Sequence, residues 1–115
     1  MHRPAPFSRC ALALLLVLAA SPAARAAAAD EPSPARAAAL DNLLLHDCGS
    51  CHGLTLKGGL GPPLLAERMA GVSDEELIAV ILQGRPGTPM PPWGGELSHA
   101  DAAWLVRRMR EGTEP

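Results

Sequence analysis

Five consecutive residues constrain this chain more than any others: Cys48-Gly49-Ser50-Cys51-His52. Two thiols at i and i+3 project to the same side of a helical turn, and an imidazole follows at once. Groups so placed can reach the two vinyl groups of one porphyrin and then its iron, with thioethers at the cysteines and His52 as proximal ligand. A redox-active Cys-x-x-Cys pair has no need of the histidine. A zinc site needs four ligands, and no convincing second pair exists. The motif therefore predicts one covalently attached haem c, and the fold must be one that closes around it.

The compartment is legible at the start of the chain. Arg3 and Arg9 precede an apolar run over residues 11–20, Ser21 and Pro22 break it, and small residues follow at Ala24 and Ala26. This order predicts a secretory signal peptide over 1–26, cleaved after Ala26 or, within the same alanine run, as late as Ala29. The apolar run falls short of the roughly 20 residues a bilayer-spanning helix needs, which argues against an uncleaved anchor. The mature chain is thus expected in the periplasm, without stable membrane insertion.

Loss of the leader changes the charge. All 12 acidic residues lie beyond it but only seven of the ten basic ones do, so the mature chain carries −5. That balance disfavours nucleic acid, whose phosphates are bound through Lys and Arg. A redox protein met through weak electrostatic guidance fits better. Cys10 also leaves, so no disulfide framework remains. With only Trp93 and Trp104 as aromatic residues, a mature domain of fewer than 90 residues has little apolar volume of its own. A buried porphyrin would supply it.

Residues 27–38 read as a linker, Ala-rich and then interrupted by Pro32 and Pro34, and 39–115 as the haem domain. Helical pattern runs over 35–47, with Leu40, Leu43 and Leu44 on one stripe. Four glycines and two prolines then make 53–63 a loop. Leu64, Leu65 and Ala66 begin a brief second helix that ends near Gly71. Ser73, with Glu76 three residues later, is a capping box for a third helix that Gly84 closes. The acidic residues 74–76 there oppose the helix dipole favourably, a structural role rather than a docking site. Four prolines make 85–95 stiff and non-helical. The stretch 98–101 opens a final helix with Ala102, Leu105, Val106 and Met109 facing inward. Trp104 reads as a structural residue without polar partners, and His99 as exposed. The sum is an all-α fold of about four helices around one haem.

Electron carriage requires a second axial ligand, and the candidates are Met69, Met90, Met109, His46 and His99. Met69 and Met109 read as core filling. His46 precedes Cys48 on the same element and cannot easily cross the porphyrin plane. Met90 differs: it lies 38 residues beyond His52, between Pro89 and Pro91, whose fixed φ angles hold a thioether stiffly. It is the expected distal ligand, with packing as the alternative. Thioether ligation raises the potential and favours electron transfer over oxygen or peroxide chemistry. The second nitrogen of His52 needs an acceptor, and a carbonyl of the Gly61-Pro62 turn suits. Arg85 is a candidate partner for a haem propionate, against simple solvation. Trp93 is a candidate to shield the porphyrin or donate its indole N–H, against core packing.

Over residues 40–112 the chain resembles a class I cytochrome c. The likeness rests on Cys48-Gly49-Ser50-Cys51-His52-Gly53, on Gly61-Pro62-Pro63-Leu64, and on Met90-Pro91-Pro92-Trp93 followed by a terminal helix. It implies the class I cytochrome c fold, first and last helices that cross near the haem, and Pro62 as the carbonyl that accepts from His52. The chain departs from the pattern at the crossing. The family often has a glycine eight residues and an aromatic four residues before the first cysteine, where this chain has Leu40 and Leu44; Arg108 stands at the usual aromatic of the last helix. More narrowly, Asp47 to Leu54, Gly58-Gly59-Leu60-Gly61-Pro62 and Gly84-Arg85-Pro86-Gly87-Thr88 with Met90-Pro91-Pro92-Trp93 resemble the small periplasmic cytochrome associated with dissimilatory nitrite reductase in denitrifying bacteria. This implies a single-electron carrier, not an enzyme, that donates to nitrite reductase, or a redox accessory factor in maturation of that enzyme's haem. A labile Met90 would instead make it a haem-based ligand sensor or enzyme. A monomer is expected.

Overall fold

The computed structural model describes residues 31–112. The predicted signal peptide, its cleavage sites and the first residues of the linker lie outside them. Among the described residues every regular element is helical.

Helix α1 spans Pro34–Leu43. Ser33 caps it by accepting the Arg36 N–H, and Pro34 occupies the first turn, where a missing N–H leaves nothing unpaired. The helix thus begins one residue before the start read from the sequence pattern. The helix does not end at Asp47 either. A π turn, Leu44–Cys48, continues it, with the Gly49 N–H reaching back to the Leu44 carbonyl, and α2 follows as Gly49–His52. One extra residue in a turn rotates everything after it by about 100° about the axis. The apolar stripe of α1 and the cysteine pair can therefore serve different faces of one continuous run.

Helix α3 is Ala66–Met69, α4 is Asp74–Gln83 and α5 is His99–Glu111. The second helix starts later than its apolar pattern suggests. Leu65 is extended, and the Leu64 N–H bonds the Leu56 carbonyl at 2.9 Å, which ties that stretch to the preceding loop. Capping boxes open both long C-terminal helices, Ser73 with Glu76 and Ser98 with Asp101. Hydrogen bonds from Ser73 hold the Glu76 carboxyl below its ordinary value.

Helix α5 packs on α4, α3 and α1. Leu40, Leu44, Leu105 and Val106 lie in the core, each at 2% exposure or less. A side chain of this size contributes roughly 1.5–3 kcal/mol when fully buried. The sequence departures at the crossing now have a physical account. Leu40 and Leu44 fill the contact with apolar volume, and Arg108 turns outward to pair with Asp41 at 3.0 Å. A second pair joins the helices: Arg36 grips Asp101 through Nε at 3.0 Å and Nη2 at 2.9 Å. Trp104, expected without polar partners, donates its indole N–H to Glu31 at 3.1 Å, and Arg107 takes the other carboxylate oxygen at 2.9 Å. Glu31 lies 73 residues from Trp104 in sequence, beyond the reach of any local pattern.

Candidate haem site

The end of α2 is shaped by glycine. Leaving the helix, Gly53 has φ +88°, and a Cβ there would lie 2.6 Å from the Gly58 carbonyl oxygen. The loop folds back so that Gly58 and Gly61 donate N–H groups, each at 2.8 Å, to the carbonyls of His52 and Cys51. Both carbonyls belong to the last turn and lack partners within the helix. Leu56 makes this return possible with φ 55° while its side chain is buried in the core. That left-handed leucine carries no sequence signal, because the type is ordinary and the demand comes from the surrounding fold.

His52 is fixed by the same loop. Its Nδ1 lies 2.7 Å from the Pro62 carbonyl oxygen. A carbonyl only accepts, so Nδ1 carries the proton and Nε2 keeps a lone pair. The backbone of Gly61 rests against the ring; a Cβ there would come within 2.7 Å of Cε1 and 2.8 Å of Nδ1. The imidazole thus has a defined tautomer and little freedom to tilt. Nearby, Ser50 bonds the Asp47 carbonyl at 2.7 Å, within the turn that presents both cysteines. Burial pushes the Cys48 thiol up to about 11, and the Asp47 charge adds to the effect.

The other approach comes from the loop after α4. Trp93 and Gly94 donate N–H groups to the Ile81 and Leu82 carbonyls, both at 3.0 Å, and Thr88 bonds the Arg85 carbonyl through Oγ1 at 2.7 Å. The segment is thereby strapped to the C-terminal turn of α4.

These elements enclose a cavity of about 600 Å³, within the range of roughly 300–1,000 Å³ usual for cofactor and ligand sites. All seven residues picked out from sequence line it: Cys48, Cys51, His52, Pro62, Arg85, Met90 and Trp93. Met69 and Met109 also line it, but both are core residues at 5% exposure, whereas Met90 is half-buried on its loop. His46 and His99 are exposed and take no part in the lining. Sequence reasoning missed Arg68, which joins Arg85 as a second cation on the cavity; one arginine on a short helix gives no pattern to find. Paired thiols, an imidazole with one nitrogen committed and one open, and apolar walls are a donor set that could hold a haem.

Comparison with known proteins agrees. The family model described as "Cytochrome C oxidase, cbb3-type, subunit III" matches residues 35–107. "Cytochrome c55X" of Pseudomonas aeruginosa is 50% identical over 97% of each chain. The chain belongs to the c-type cytochromes. Cytochrome c55X of Stutzerimonas stutzeri is 52% identical to it, covering 91% of this chain and 89% of the relative. The solved structure of a "c-type cytochrome NirC" superposes with a TM-score of 0.69 at 58% identity, covering 71% of this chain and 96% of that one. A "Dihydro-heme d1 dehydrogenase NirN in complex with DHE" matches at TM-score 0.59 and 35% identity, over 65% of this chain but only 16% of that much longer one. The cytochrome accordingly has the class I fold and carries covalently attached haem c. The relatives matched over most of their length are cytochromes, and it too is an electron carrier that works with redox partners. No helix among its described residues is long and apolar enough to cross a membrane.

Proposed function

We propose that this cytochrome is a periplasmic monohaem carrier that delivers single electrons to dissimilatory nitrite reductase, with Cys48 and Cys51 tethering the haem and His52 and Met90 holding its iron. The observation that carries the site is the His52–Pro62 hydrogen bond of 2.7 Å, which leaves Nε2 open in the cavity that Met90 also lines. Bound there, haem supplies one iron that takes up and gives back a single electron. The protein's part is to keep both ligands in place through the cycle. The Pro62 carbonyl fixes the imidazole and strengthens it as a donor. The stiff loop around Met90 limits reorganisation, and the apolar walls keep water out. With haem bound, Arg85 would offset propionate charge and Trp93 would shield the porphyrin. What supports the partner is the resemblance of three motifs to the small cytochrome associated with nitrite reductase. What supports the periplasm is the predicted leader.

Two measurements test this. The ferric protein should show a methionine-to-iron charge-transfer band that Met90→Ala abolishes and that Met69→Ala and Met109→Ala retain; an unchanged Met90→Ala spectrum would sink the ligand assignment, and a band missing from the unsubstituted protein would favour a sensor or enzyme. Stopped-flow mixing of reduced cytochrome with purified nitrite reductase should give rapid, salt-sensitive oxidation.

The likeness to part of a dihydro-haem d1 dehydrogenase favours a second reading, a redox role in maturation of the nitrite reductase cofactor. Deletion of the gene separates the two. Enzyme that lacks its cofactor points to maturation, and intact enzyme that turns over slowly points to electron supply.

A further inference from the structure

We propose that Gly84 is a positioning residue for Met90: close contact between the end of α4 and the Met90-Pro91-Pro92 backbone keeps the thioether on the iron and sets how readily another ligand displaces it. The inference rests on Met90 being the distal ligand. Gly84 is buried, with φ +67°. The positive φ alone accounts for a glycine at a helix end. The packing asks for more. A Cβ on Gly84 would lie 2.7 Å from Pro91 C and from Pro92 N, and 2.8 Å from the Met90 carbonyl oxygen. Comfortable contact between carbon atoms begins at about 3.5 Å, so any side chain would push the backbone away. The atoms in its path are main chain, stiffened by two successive prolines, and cannot rotate aside as a flexible side chain would.

The loop has nowhere else to move. The Arg85 N–H donates to the Met90 carbonyl at 3.2 Å, and the Trp93 and Gly94 N–H groups hold the last carbonyls of α4. Both ends of the strap are thus anchored on one helical turn, with the ligand residue between them. A displacement at Gly84 passes straight to residue 90. Gly94 makes the matching contact at the other end, where a Cβ would be 2.9 Å from the Leu82 carbonyl oxygen. Gly87 supplies a contrast within the loop: φ is +80°, yet nothing lies within 4 Å of a Cβ there. Strain without contact can therefore be separated from contact itself.

Imidazole titrated into the ferric holoprotein reads the effect, because it binds only where the thioether has left, and its apparent affinity follows the open fraction. Gly84→Ala should bind imidazole about tenfold more tightly than the unsubstituted protein, and Gly94→Ala more tightly by a smaller factor. Gly87→Ala should stay within about twofold, despite its positive φ. If Gly84→Ala does not assemble with haem, Gly94→Ala carries the test, since its backbone lies outside the left-handed region. Equal affinity in the contact variant and Gly87→Ala, at whatever level, overturns the proposal. Met90→Ala run in parallel keeps the two claims apart. A charge-transfer band that survives Met90→Ala means the ligand assignment has failed; a band lost in Met90→Ala with no shift in the contact variants means that only the positioning role has.

Discussion

The α1–α5 crossing and the cavity wall are built by opposite means. The crossing is satisfied within the chain: Leu40, Leu44, Leu105 and Val106 fill its centre, and Arg36–Asp101 and Arg108–Asp41 close its rim. The cavity wall is apolar too and shares Leu44 and Leu105 with the crossing, but its side chains line open space. Its loops, rich in glycine and proline, are held by backbone hydrogen bonds such as those from Gly58, Gly61, Trp93 and Gly94, and it surrounds about 600 Å³ that no side chain fills. One region carries its own packing; the other is completed by the haem. A chain this small can leave part of its core to a cofactor because covalent attachment makes the cofactor part of the chain.

The severest way to break this contrast is to prevent attachment. The double variant Cys48→Ala/Cys51→Ala should lose most of its far-UV helicity and its cooperative melt. The missing burial is a large share of a net stability that for domains is about 5–15 kcal/mol. A haem-free variant that melts like the holoprotein would show that the cavity wall supports itself. Leu40→Ala strikes the other region. Its side chain has no exposed surface, so truncation should cost about 2–5 kcal/mol in urea unfolding. The charge-transfer band and midpoint potential should stay where they were; a shifted potential would mean that the crossing and the ligand loop are coupled.

The two regions also differed in how much of them could be read in advance. The Ser73–Glu76 capping box, the stripe on α5 and the order of the haem motifs are local patterns, and each stands in the structure as the residues suggested; the Ser98–Asp101 box adds to them. The π turn was not legible, because the residues from Leu44 to Cys48 carry no local pattern that marks an extra residue in a turn. The start of α1 was blurred by Pro34, which interrupts a helix internally but begins one well after Ser33. Trp104 was misjudged because its partner is Glu31, and Arg68 because its role depends on a cavity made by distant segments. Gly84 gave a helix end, while the crowding around it came only with the loop that packs there.

The mildest test sharpens the contrast through pH. Asp101 is held well below the ordinary carboxyl value of 3.8, chiefly by the hydrogen bonds from Arg36, with Ser98 adding to them against a smaller opposing effect of burial. A carboxyl depressed in the folded state stabilises it fully above the unfolded value and loses that contribution as pH falls toward the folded one. Ser98 is the N-cap and still accepts the N–H of residue 101, and an asparagine side-chain oxygen at that position can still accept from Ser98, so Asp101→Asn retains the capping contacts and removes the charge that Arg36 grips. The expected loss at neutral pH is about 1 kcal/mol, near the upper end for a partly exposed pair and consistent with its two-point geometry. The gap between the two proteins should persist down to about pH 4 and then close, because protonation gives the unsubstituted protein the same uncharged side chain. Urea midpoints at pH 7, 4 and 3 measure it. A gap that stays constant through this range would place the contribution of Asp101 in packing instead of charge, and the crossing would then owe nothing to the charge that Arg36 grips.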